Sequence, residues 1–145
     1  MNRVAAADED GSTLLLTIFY GVLALALVLV VVSATSLYLE RKRLFTLADG
    51  AALAAAESWR LDDVRVEAGE LVFDLDAVTV RDAASGYLDD AAHSLQGLEL
   101  VRADSADGRS ATVTLRAVWH APISSEFLPV TVPIGVTADA RSVFH

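Results

Sequence analysis

Few side chains in this sequence are of the kind that do chemistry, and their spacing joins none of them into a working set. The histidines His93, His120 and His145 are scattered, with no ligand at the intervals that would complete a zinc site. Asp74-Leu75-Asp76 starts like an oxygen-rich calcium loop. The residues that follow lack the alternating oxygens and the glycine of an EF-hand. Those aspartates read instead as a strand end or as a cap on the next helix. Asp89-Asp90 reads as a solvated helix face, and Ser124-Ser125-Glu126 has no base near it in sequence. There is no glycine-rich phosphate loop and no nucleophile elbow. Cysteine is absent, which removes disulfides, thiolate catalysis and cysteine–metal ligation together. No metal, cofactor or catalytic residue is assigned, and the expectation is a protein that is not an enzyme.

What the chain carries in quantity is apolar surface. Hydrophobic residues make up 54% of it, and the excess is local. Residues 11–39, "GSTLLLTIFYGVLALALVLVVVSATSLYL", hold no charge at all. As a helix they would reach about 43 Å, more than the ~30 Å hydrocarbon core of a bilayer. Leu14 to Val32 alone is about the length needed to cross. A cleaved secretory signal would carry a basic segment and a shorter apolar core, whereas Asp8, Glu9 and Asp10 stand here. A retained single-pass anchor is expected, with membrane lipid as its first partner. The net charge of −9 argues against nucleic acid and against a broad electrostatic grip on anionic lipid.

Four segments follow from this reading: a polar tail over 1–10, the membrane helix over 11–39, an alanine-rich amphipathic extension over 40–59, and a small α+β domain over 60–145. Glu40, Arg41, Lys42 and Arg43 fall at headgroup level, with Tyr38 as an interfacial aromatic. Beyond them Leu44, Leu47, Ala48, Ala51 and Ala55 recur at helical spacing, a predicted helix-packing face. The helix is predicted to run through Gly50 to about Trp59, although an interior glycine costs about 1 kcal/mol relative to alanine. Residues 62–76 suggest a strand or small hairpin, with Val64, Val66, Leu71, Phe73 and Leu75 alternating with polar residues. From Thr79 to Leu95 the period turns helical, with Val80, Ala84, Tyr87, Leu88, Ala91 and Leu95 on one face. Thr79 with Asp82 three residues on is a candidate N-cap.

The C-terminal part is strand-rich. Leu98 and Leu100 begin a strand, and "DSADG" over 104–108 is turn chemistry with a glycine suited to positive φ. Residues 110–120 alternate strictly, placing Ala111, Val113, Leu115, Ala117 and Trp119 on one side. Residues 130–138 repeat the pattern with Val130, Val132, Ile134 and Val136, and Pro133 marks an edge strand or a bulge. Between them "APISSEFLP" is a proline-bounded loop exposing Ile123, Phe127 and Leu128, a possible contact surface. The predicted assembly is an antiparallel sheet of three to four strands with one packed helix.

The layout resembles the TadE/TadG-like proteins of tight-adherence (Flp) pilus assembly. Three places carry the likeness: Gly11-Ser12 opening the apolar run, "LYLERKRLFTLADGAALAAA" at the membrane exit, and the closing strands over 111–140. Asp49, between Ala48 and the Ala51–Ala56 run, stands where that family places its aspartate. The resemblance implies a bacterial, pilin-like protein whose small domain lies outside the cytoplasm, although Arg41, Lys42 and Arg43 by themselves favour the opposite orientation. Processed pilins carry a glutamate five residues after the cleaved glycine; here that position is Leu16. The TadG-like branch, which lacks that glutamate, is the better fit. Implied partners are other pilus subunits docked through helix packing, since alanines let helix backbones approach closely. The same alanine face could equally pack on this chain's own sheet. A reading from another class is a membrane-anchored sensor or ligand-binding module, with Trp119, Tyr87 and Phe127 lining a pocket.

Overall fold

The computed structural model describes residues 6–58, 64–67, 70–73, 75–123 and 129–141. Nothing in the first of these segments stops a helix: proline is absent and alanine and leucine dominate. Helix α1 accordingly runs unbroken from Ala6 to Ala56, 51 residues, about 76 Å at ~1.5 Å per residue. It begins ahead of Gly11 and passes through Gly50 without a break. It ends where Glu57 and Ser58 fold back on the carbonyls of Leu53 and Ala55, at 3.0 and 3.3 Å.

The two ends of α1 live in different surroundings. Leu14, Leu16, Phe19, Leu23, Leu27 and Val31 are all exposed, and so are nearly all the side chains on the faces between them, Leu29 being half-buried. An 18-residue window here has mean hydropathy 2.9 and no buried residue. A helix apolar on every side is stable in lipid, where all its backbone groups are already paired. Thr17 and Thr35 satisfy their hydroxyls locally, donating to the carbonyls of Thr13 and Val31 at 2.9 and 2.8 Å. From Ser36 onward one side of α1 is covered by the rest of the chain.

That remainder is β1 (Val64–Glu67), β2 (Glu70–Phe73), α2 (Ala77–Asp90), β3 (Glu99–Asp104), β4 (Ser110–His120) and β5 (Thr131–Arg141). Strands β1 and β2 pair as a separate antiparallel hairpin, and β3-β4-β5 form a three-stranded antiparallel sheet. The fold is α+β in two layers, with α1 lying on β4 and β5 and α2 packed against α1 and β3. Strand β4 shows the strict alternation its sequence carries, with Ala111, Val113, Leu115, Ala117 and Trp119 buried. Its other face is a polar surface, where Thr112 donates to Asp139 at 2.6 Å and Thr114 pairs with Thr137 at 3.0 Å.

Strand β5 is an edge, as Pro133 indicates, and Pro133 sits opposite Val118 in a regular register. The irregularity lies instead in β3, between Leu100 and Arg102. The buried row of β5 is Ile134, Val136 and Ala138, shifted from the expected one: Val130 and Val132 are each 38% exposed. Trp119, paired across from Val132, takes the space against α1 with its indole.

Helix α2 departs from expectation at both ends. It starts at Ala77, and its N-cap is Asp76, whose carboxylate accepts from the Val78 N–H at 3.2 Å. Thr79 is already inside the first turn, so the reading of the aspartates as a helix cap holds and the Thr79 cap does not. Leu75, just ahead of the cap, donates its N–H to the Gly108 carbonyl at 3.0 Å, which fixes where the chain enters the helix. At the other end α2 stops at Asp90, so buried Leu95 packs from an extended segment rather than from the helix.

The 104–108 turn holds Gly108 at φ 66, the positive value its glycine was expected to supply. Beside it, Asp107 accepts from the Ser110 hydroxyl (2.7 Å), the Arg109 N–H (2.9 Å) and the Ser110 N–H (2.7 Å). Those bonds favour the carboxylate and lower its pKa from 3.8 to about 2. A folded value below the unfolded one means a contribution present above about pH 4 and lost as pH falls toward 2. Asp107→Asn is expected to weaken the chain near neutral pH and to lose little near pH 2. Urea midpoints at the two pH values check this, and a deficit equal at both would refute it.

Candidate functional site

The candidate face on α1 is built by spacing. Leu44, Leu47, Ala48, Ala51 and Ala55 lie on one side of the helix, and all five are buried. Ala52 and Ala56 join them at 0% exposure. These two fall outside the five-residue face expected from spacing, and the Ala51–Ala56 run is the sequence signal for the broader stripe. Alanine is what this surface needs, because a methyl group lets the helix backbone come close to the sheet. The face is filled by the chain itself: its residues share one core with Val113 and Leu115 of β4, Val136 of β5 and Val80 of α2. Asp49, Phe45 and Leu53 lie on the opposite, exposed side.

Gly50 marks the crossing of the two helices. A Cβ built there would stand 2.6 Å from Cζ of Tyr87, so the phenol ring lies directly on the glycine backbone. The helix therefore gives up about 1 kcal/mol of propensity to admit a ring from α2. Gly50→Ala is expected to gain nothing in the native background and to stabilise by about 1 kcal/mol in a Tyr87→Ala background. A double-mutant cycle by chemical denaturation measures the difference, and equal effects in both backgrounds would disprove the contact.

At the N-terminal end of the covered part of α1 the closing contact is Trp119 Nε1–H donating to Ser36 Oγ at 3.2 Å, the indole buried and the serine half-buried. Leu37 also packs against the core, so the folded domain sits directly on the end of the apolar run. Ile123 is 53% exposed nearby in sequence, while Phe127 and Leu128 lie outside the described residues. Trp119 and Tyr87 do not come together: the first is used on Ser36, the second lines a cleft beside Gly50 that Trp119 does not reach. Gly11 lies within α1. His93 is exposed in the segment after α2 and His120 at the end of β4, and His145 lies outside the described residues. Among the described residues no group of three or more metal-binding side chains gathers.

The geometry thus reduces to an apolar helix, exposed over its first part, that becomes through its alanine face a layer of the domain. Residues 11–58 match the Flp pilus-assembly TadE/G-like family. No curated protein matches the chain, and no solved structure does. The matched stretch runs from Gly11 to Ser58 and holds the whole apolar run, Asp49 and every α1 residue of the core. It does not separate the TadE-like branch from the TadG-like one. The match covers about a third of the chain and likens that part to proteins of pilus assembly. By length and composition α1 is a helix able to cross a membrane, which suggests a single-pass anchor.

Proposed function

We propose that this chain is a membrane-anchored, pilin-like assembly protein of a tight-adherence pilus, serving as a minor subunit or assembly factor, with its domain outside the cytoplasm. The observation that supports it is the match over residues 11–58, which coincides with the part of α1 that is anchor and core layer at once. A helix fused in this way to a sheet transmits force without a hinge between lipid and domain. Leu16, in place of a pilin's conserved-position glutamate, favours a non-fibre role of the TadG-like kind. Because the alanine face is occupied internally, partner subunits would pack on the uncovered part of α1, residues 12–35, or on its outward side at Phe45, Asp49 and Leu53.

Deletion of the chain is expected to abolish surface pili and adhesion, and pulldown of the full-length protein from membranes is expected to recover pilus components. Undiminished pili after deletion would end this reading. A reporter fused after His145 tests the orientation: activity restricted to a cytoplasmic reporter would reverse it.

A further inference from the structure

We propose that the cleft between α1 and the segment following α2 binds the phosphate-bearing headgroup of an anionic lipid. This rests on α1 being a membrane anchor and not on the pilus reading. The cleft has a volume of about 650 Å³ and lies between Leu39–Leu47 on α1 and Tyr87 with Ala91–Leu95 on the other side. Its chemistry is that of an anion site. Lys42, Arg43 and His93 line it together with the hydroxyl-bearing Tyr87 and Ser94, and no carboxylate does. Lys42 makes no ion pair among the described residues. Arg43 reaches Glu40 at 3.8 Å, and its side chain stays 65% exposed, with donors left over for a ligand.

Height along the helix selects the source of the anion. The charge-free run ends at Leu39, and Leu39 forms the lower lip of the cleft. From there to Leu47 the cleft climbs about 12 Å along α1, beginning within the layer of ~5–7 Å that headgroups occupy on each side of a bilayer. Its walls also carry Leu47 and Leu95. A free phosphate needs no apolar wall, whereas the glycerol and first acyl carbons of a lipid do. The overall charge of −9 repels anions at long range. The site would therefore act by local contact, on a lipid already held beside it by the membrane.

The test is native mass spectrometry of the full-length chain released from vesicles of equal phosphatidylglycerol and phosphatidylcholine. Retention of one phosphatidylglycerol per chain is expected. Lys42→Gln combined with Arg43→Gln is expected to lower it by at least about tenfold. Both side chains are exposed, so the fold should survive, and circular dichroism verifies it. Arg41→Gln removes a charge from the same cluster, but Arg41 does not line the cleft; it borders a separate groove with Tyr38, Phe45 and Val136, which Lys42 also reaches. It should leave retention unchanged. Equal retention of phosphatidylcholine, equal loss in Arg41→Gln, or unchanged retention in the double variant overturns the site. Displacement of the lipid by millimolar inorganic phosphate overturns the lipid assignment in favour of a free anion.

Discussion

A chain starting at Ser58 is expected not to fold, whereas one starting at Ser36 is expected to unfold cooperatively in mild detergent. The difference is α1. Its last turns supply Leu44, Leu47, Ala48, Ala51, Ala52, Ala55 and Ala56 to the core, none more than 8% exposed. Burying one leucine is worth about 1.5–3 kcal/mol, so Leu44 and Leu47 alone contribute roughly 3–6 kcal/mol. A whole domain of ordinary stability holds about 5–15 kcal/mol. Without α1 the inner face of the sheet, Val113, Leu115, Ile134 and Val136, meets water, and α2 at 14 residues is too short to replace a layer that spans β4 and β5. The shorter chain would then show strand and helix signals without a sharp urea transition. A cooperative melt from residues 58–145 within about 1 kcal/mol of the longer chain would show that α1 is an attachment and not a layer.

How much of this was legible in the sequence depended on distance along the chain. Strand β4 was readable because burial on one face writes itself as alternation, Ala111 to Trp119, with no exception. Strand β5 carries the same alternation, yet Val130 and Val132 stay outside because Trp119, on a different strand, decides what can reach α1 there. Alternation names a face and not where its burial ends. The cap of α2 shows the same limit: Thr79 and Asp76 are both good caps locally. The Leu75–Gly108 hydrogen bond, made across the domain, chooses Asp76. Gly50 is unfavourable by local propensity, and its reason is a ring far along the chain. Most telling is the alanine face itself. Its residues could be picked out by period, but a small-residue stripe is the same whether it receives another protein's helix or its own sheet. The pair that anchors the arrangement, Ser36 with Trp119, has no local signal at all.

Ala51→Leu is the substitution that separates packing within the chain from docking to a partner. Ala51 is 0% exposed, and it stands where the helix backbone lies close against the rest of the core. Three additional carbons there have no room, and overpacking of this kind costs about 1–3 kcal/mol, with more when the backbone itself must move. The variant is expected to lower the urea midpoint and to reduce pili in proportion, because the domain no longer seats on α1. Leu53→Ala and Asp49→Ala alter the opposite side, where Leu53 is 49% exposed, and are expected to stay within about 0.5 kcal/mol of the native stability. If pili depend on contacts made by that outward side, these two variants will lose pili while remaining folded. Stability and pilus number then respond to different faces of one helix. Should Ala51→Leu leave the midpoint where it was, the close approach of α1 to the sheet is wrong, and the face would be free to serve a partner after all.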